Sequence, residues 1–208
     1  MDKTSYAVGL SMAQNMLSSG VRDLTLDDFI AGVRDTLEGK DPAVSFEEAN
    51  RLLEAYFRRI DEERAAETAA IGDAFKKEGE EFLSANAEKP GVNVTGSGLQ
   101  YKVLVEGKGR RPETVDRVRC HYEGRFTDGT VFDSSYKRGE PAVFGLGQVI
   151  RGWTEGLQLM KEGSKYEFYI PYDLAYGEEG AHGAIPPCAT LIFTVELLEV
   201  LRSEEHTS

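Results

Sequence analysis

The chain has 208 residues, enough for one large or two ordinary domains, and its 40% hydrophobic and 29% charged content is that of a globular protein with a real core. A formal net charge of −12 argues against nucleic acid or anionic lipid as a partner, because both need a basic face. Two cysteines, Cys120 and Cys188, make neither a disulfide framework nor a metal-spaced cluster, and they read as reduced structural thiols.

No apolar run approaches the length of a membrane span, so no membrane is expected. The start, Met1-Asp2-Lys3-Thr4-Ser5, is not a basic segment followed by an apolar one, which points to the cytoplasm; a true start lying upstream would make the protein periplasmic. The composition changes near residue 90. Residues 1–90 hold 6 of the 22 glycines and 2 of the 7 prolines, so helices are expected first and strands with turns afterwards.

A first helix is expected over Ser5–Ser18, with Tyr6, Leu10, Ala13 and Leu17 at helical spacing and Gly20 as a stop. A second opens at Thr25, whose hydroxyl can cap the turn while Asp28 reaches back; Phe29, Ile30, Val33 and Leu37 form its stripe, and Gly39 ends it. A third opens at Ser45, with Glu48 three residues on, and runs to about Ala85 without a proline. At a rise of ~1.5 Å per residue it would be on the order of 60 Å long. Its first half carries Leu52, Leu53, Tyr56, Phe57 and Ile60; its second half is alanine-rich among many charges and reads as a solvated, rigid spacer.

Beyond Pro90 the pattern alternates. Leu99, Tyr101, Val103 and Val105 suggest a strand with one buried face, and Val115–Glu123 and Thr130–Asp133 follow as strands flanking the Thr127-Asp128-Gly129 turn. Ile150–Met160 is a helix with Trp153, Leu157 and Met160 on one face; Lys165–Pro171 and Thr190–Leu201 supply two more strands. The fold class is α+β: helices first, then an antiparallel sheet wrapped across one short helix.

The second half also holds five ordered motifs: His121-Tyr122, Phe132-Asp133-Ser134-Ser135, Val149-Ile150-Arg151-Gly152-Trp153, Ala175-Tyr176-Gly177 and Pro186-Pro187-Cys188-Ala189-Thr190-Leu191. Together they resemble the FKBP-type peptidyl-prolyl cis-trans isomerases, the family that binds immunosuppressant macrolides, over about Gly98–Leu201. The start Tyr6-Ala7-Val8-Gly9-Leu10 followed by a long helix resembles the dimeric, macrophage infectivity potentiator branch. The resemblance implies a pocket floored by Trp153, with catalytic residues Tyr122, Phe132, Asp133, Trp153, Tyr176 and Phe193 and substrate contacts from Arg138, Val149, Ile150 and Ile185. It also implies the Ile150 N–H and the Tyr176 hydroxyl as donors to substrate carbonyls, and no cofactor or metal. Asp133 would sit at the rim, paired with Arg138 and the Tyr122 hydroxyl. A turn-capping role at Asp-Ser-Ser is the weaker reading, because Asp133 directly follows the wall residue Phe132. Phe144 reads as core rather than contact.

Such a pocket suits the chemistry. An X–Pro amide has a rotation barrier of ~18–20 kcal/mol, and a twisted amide needs less water than a planar one, so a dry aromatic cleft favours the twisted state. The partners implied are proline-containing polypeptides or unfolded clients, macrolide inhibitors, and a second copy of the chain. The alternative from another class is a non-catalytic dimeric chaperone that holds unfolded chains; the near-complete pocket set favours the enzyme. Two departures stand out. Ala142 replaces an aromatic wall residue, which opens one side and weakens the expectation for macrolides, and Glu178–Ala184 is acidic and small, with His182 a solvated loop residue. The domain reading is 1–60 helical dimerisation domain, 61–90 long helix or linker, 91–201 isomerase domain, and 202–208 a tail that reads like a translated sequencing adapter rather than native protein.

Overall fold

The structure, a computed structural model, describes residues 1–181 and 183–201. His182 and the tail 202–208, and the sequence expectations attached to them, lie outside the described residues. The chain divides into two compact units, Met1–Glu67 and a second that begins at Thr68. The division falls inside the third helix, whereas the sequence reading drew boundaries at residues 60 and 90.

The first unit contains α1 (Lys3–Ser18), α2 (Leu26–Glu38) and the first half of α3 (Phe46–Ala87). Asp2 caps α1, its carboxylate accepting the Thr4 and Ser5 N–H groups at 3.3 and 3.0 Å. Ser45 caps α3 as expected, accepting the Glu48 N–H at 3.1 Å. Thr25 does not do the same: it occupies the N-cap of α2 without a side-chain bond, so the capping box proposed with Asp28 is absent. Gly39 ends α2 in the left-handed conformation. These helices hide very little. Neither α1 nor α2 buries a residue, and Ile60 is the one buried apolar side chain among the described residues of this unit.

The second unit holds the rest of α3 and a seven-stranded antiparallel sheet. Its strands are β1 (Val92–Val94), β2 (Gln100–Val105), β3 (Arg117–Phe126), β4 (Val131–Ser134), β5 (Ala142–Gly145), β6 (Lys165–Ile170) and β7 (Leu191–Leu201). They are ordered β1-β2-β6-β7-β3-β4, with β5 also pairing with β3. A one-turn α4 (Ser135–Arg138) follows β4, and α5 (Arg151–Leu159) supplies Trp153 and Leu157 to a core with Phe168, Leu191, Phe193 and Val195. The expected strands and helix are present; β1, β5 and α4 were not anticipated.

The alternation expected for β2 holds only at its start. Leu99 is fully buried, but Val103 and Val105 are exposed and a register shift against β6 separates them. Gln100 is buried instead. Its amide donates to the Leu83 carbonyl (2.8 Å) and accepts from Asn86 (2.9 Å), so both ends of a polar side chain are satisfied where α3 meets the strand.

Candidate active site

A cleft of about 470 Å³ opens between β3, β4, β7 and the start of α5. Each wall comes from a different element. The alternation of β3 directs Tyr122 inward, β4 supplies Phe132 and Asp133, β5 supplies Phe144, and β7 supplies Phe193. Gln148 and Val149 come from the turn before α5, Ile150 is its N-cap and Trp153 lies in its first turn. Tyr176 enters from the β6–β7 loop.

The aromatic rings meet edge to face. Trp153 stands 5.2 Å from Phe193, 5.3 Å from Tyr122 and 5.3 Å from Phe144, at interplanar angles of 87°, 84° and 81°. Phe132 meets Phe193 at 5.5 Å and 88°. Gly124 permits that approach: a Cβ there would stand 2.6 Å from the Phe132 ring and 2.7 Å from Phe193. Trp153 is almost wholly buried beneath these walls, while Tyr176 is 42% exposed at the mouth.

The polar rim is a three-residue network. The Tyr122 hydroxyl donates to Asp133 Oδ2 at 2.5 Å, Arg138 Nη1 donates to Asp133 Oδ1, and Arg138 Nη2 donates to the Tyr122 hydroxyl at 2.8 Å. The guanidinium also lies 5.5 Å over the Tyr122 ring. Burial pushes the Asp133 carboxyl up, but the bonds from Tyr122 and Arg138 and the guanidinium charge outweigh it and hold the group below its ordinary value. Burial, then the Asp133 carboxylate, pushes the Tyr122 hydroxyl up, so it stays a donor. The capping role weighed for Asp133 falls to its neighbour: Ser134 is the N-cap of α4 and accepts the Lys137 N–H at 3.4 Å. That short helix turns Arg138 back over Tyr122.

Main-chain geometry adds a donor. The Ile150 carbonyl accepts the Trp153 and Thr154 N–H groups at 2.9 and 3.1 Å, whereas its own N–H has no partner among the described residues and stands at the positive end of α5. Tyr122, Phe132, Asp133, Val149, Ile150, Trp153, Tyr176 and Phe193 therefore come together as the sequence expected. Two do not line the cleft. Arg138 acts from behind, through Asp133 and Tyr122, and Ile185 is buried in the core, bridged to Ala181 at the neck of the β6–β7 loop. Two residues are added. Phe144, expected in the core, is half-buried and lines the cleft, because β5 pairs with β3 and faces Trp153; Gln148 reaches it from a turn that no periodicity marks.

Residues 108–198 match the family model for FKBP-type peptidyl-prolyl cis-trans isomerase, and residues 1–103 match that for the domain amino terminal to FKBP-type peptidyl-prolyl isomerase. The chain is 48% identical to the FKBP-type 22 kDa peptidyl-prolyl cis-trans isomerase of Escherichia coli K12, over 96% of this chain and 95% of that protein. This chain belongs to the FKBP-type peptidyl-prolyl cis-trans isomerases. It is 41% identical to the Outer membrane protein MIP of Legionella longbeachae, over 97% of this chain and 86% of that one. The crystal structure of FkpA from Escherichia coli matches with a TM-score of 0.72 at 38% identity, covering 96% of this chain and 95% of that one. As an FKBP-type isomerase the protein acts on X–Pro bonds in polypeptides. Among the described residues no helix is long and apolar enough to cross a membrane. The cytoplasmic location expected from the sequence gains no support from these relatives, one of which carries an outer-membrane name.

Proposed function

We propose that the cleft accelerates X–Pro rotation by taking the amide out of water and binding its twisted form. The observation that carries this is an aromatic box closed by Trp153 with two donors at its edge, the unpartnered Ile150 N–H and the exposed Tyr176 hydroxyl. Proline would rest on the Trp153 face between Phe132, Phe193 and Val149. The planar amide carries charge separation that water stabilises, and the twisted amide has lost it, so a dry box penalises the ground state more than the transition state. The Ile150 N–H holds a substrate carbonyl at the pole of α5, and Tyr176 holds a second one. Asp133 and Arg138 keep Tyr122 upright as the wall beside Trp153. Macrolides are the inhibitor class to try on the same box, with weaker binding expected because Ala142 stands where the family has an aromatic wall. A protease-coupled isomerisation assay on short X-Pro peptides tests the reading: Tyr176→Phe lowers turnover without unfolding the protein, and an unchanged rate refutes the role given to its hydroxyl.

The first unit is read as a homodimerisation domain. Tyr6, Val8, Leu10, Met12 and Leu17 on α1 are each half exposed or more, as are Leu26 and Leu37 on α2 and Phe46, Leu52 and Leu53 on α3. A helical unit with so little buried apolar surface has little to offset its conformational entropy, and a second copy is the commonest cover for such faces. Two linked pockets would then hold an unfolded client by avidity.

A further inference from the structure

From Thr68 onward α3 belongs to the second unit, and one of its faces meets other parts of that unit. Gly72, Lys76 and Gly79 follow one another at helical spacing along that face, and all three meet the loop between β6 and β7. A Cβ built on Gly72 would touch Pro187 Cβ and Cys188 Sγ at 3.4 Å each. One built on Gly79 would stand 2.2 Å from Thr190 Oγ1 and 3.1 Å from Thr190 Cβ. Lys76 Nζ stands 5.8 Å over the Tyr172 ring. The helix therefore touches the outgoing limb of the loop at Tyr172 and the returning limb at 187–190.

Tyr176 sits between those limbs and is tied to both through its neighbour. The Gly177 N–H donates to the Tyr172 carbonyl at 2.9 Å, and the Gly177 carbonyl accepts the Cys188 N–H at 3.0 Å. The returning limb also holds Cys188 at φ +56, a conformation that a residue with a Cβ keeps only where its surroundings enforce it. The bare backbone at Gly72 is what lies against the Cys188 sulfur. Tyr176 itself is 42% exposed and its ring meets no other aromatic ring at close range among the described residues, so the two limbs bear much of its placement.

We propose that the C-terminal part of α3 is a positioning element for Tyr176, and that Gly72 and Gly79 set how deeply the returning limb seats on the helix. This rests on the reading of Tyr176 as a donor to substrate. A side chain at Gly79 lifts Thr190, the lift passes through Cys188 to Gly177, and the hydroxyl leaves the place where the substrate carbonyl meets it. A misplacement of 1 Å costs up to ~100-fold in rate, so part of an ångström costs about tenfold.

The test uses the full-length chain, with peptide kcat/KM, the thermal midpoint, and the fluorescence of Trp153, the chain's single tryptophan. Gly79→Ala is expected to lower kcat/KM about tenfold with the fold retained, since the helix propensity that alanine adds offsets part of the cost of the close contact. Thr190→Ala, near wild type alone, restores turnover in the Gly79→Ala background by removing the atom the new methyl meets. In a Tyr176→Phe background, Gly79→Ala costs nothing further. Wild-type turnover in Gly79→Ala beside a slow Tyr176→Phe overturns the proposal and leaves the role of Tyr176 intact; so does an equal loss in both backgrounds. Wild-type turnover in Tyr176→Phe alone removes the role of Tyr176, and the proposal with it. Should Gly79→Ala not fold, Gly72→Val, whose Cβ would meet Cys188 Sγ at an ordinary 3.4 Å and whose γ-methyls press the limb beyond it, is scored by the same outcomes.

Discussion

Tyr176 and Phe132 both line the cleft, yet their substitutions are expected to differ. Tyr176 is 42% exposed and its hydroxyl makes no bond within the protein among the described residues, so Tyr176→Phe should leave the thermal midpoint unchanged. If that hydroxyl supplies ~1.4 kcal/mol to the transition state, turnover falls tenfold. Phe132 also carries packing, with Phe126 at 4.9 Å and Phe193 at 5.5 Å, but is only half-buried, so Phe132→Ala should cost turnover and in addition on the order of 1–3 kcal/mol of stability in a urea titration. Asp133 gives a pH signature. Its carboxyl is held below the ordinary value, so its contribution is complete above the unfolded-chain value of about 4 and is lost as pH falls through the lower folded value. Peptide turnover should therefore be flat from near neutrality down to about pH 4 and then fall. Asp133→Asn should remove that acid limb, with Trp153 fluorescence separating the titration from unfolding.

Between α3 and the sheet, buried polar contacts stand beside apolar ones. Asn86 is fully buried and donates to Gln100, whose own amide donates to the Leu83 carbonyl. Asn86→Ala leaves the Gln100 oxygen buried without its donor, which should cost about 1–3 kcal/mol in chemical denaturation. Phe75 and Phe82 add apolar contact, Phe75 against the core and Phe82 at 6.1 Å from Tyr169. A fragment beginning at Thr68 should therefore be measurably more stable than one beginning at Gly91, although all the cleft residues lie in both. Equal thermal midpoints would show that the helix end contributes nothing to the unit.

For the protein as a whole, the sparse burial in the first unit leads to an association experiment. Light scattering at micromolar concentration should give twice the chain mass, and Leu10→Glu with Leu52→Glu should return the monomer, because charges on an apolar seam are costly to bury. A chain lacking residues 1–60 should keep its rate on short peptides and lose rate on a proline-limited refolding protein, since avidity is all that the pairing would add. A monomer mass for the unaltered chain would remove the basis for the dimer.

Much of this was legible in the residues themselves. Periodicity located α1, α2, α3 and α5, since a 3.6-residue stripe depends only on which side chains share a face, and the Asp128-Gly129 turn marked the β3–β4 hairpin. The family resemblance, carried by motifs that hold Tyr122, Phe132, Trp153 and Tyr176, implied an aromatic cleft before any strand was paired. What the residues could not show depended on partners distant in sequence. Phe144 faces Trp153 only because β5 pairs with β3, and Gln100 is buried only because Asn86 and Leu83 meet it across the end of α3. Arg138 and Ile185 carry residue types suited to a pocket, yet one works through Tyr122 and Asp133 and the other closes the neck of a loop. Composition read the second half of α3 as a solvated spacer, because its apolar residues are few. Tertiary structure made it part of the catalytic unit, because Gly72 and Gly79, which look like weak points in a helix, let Cys188 and Thr190 approach its backbone.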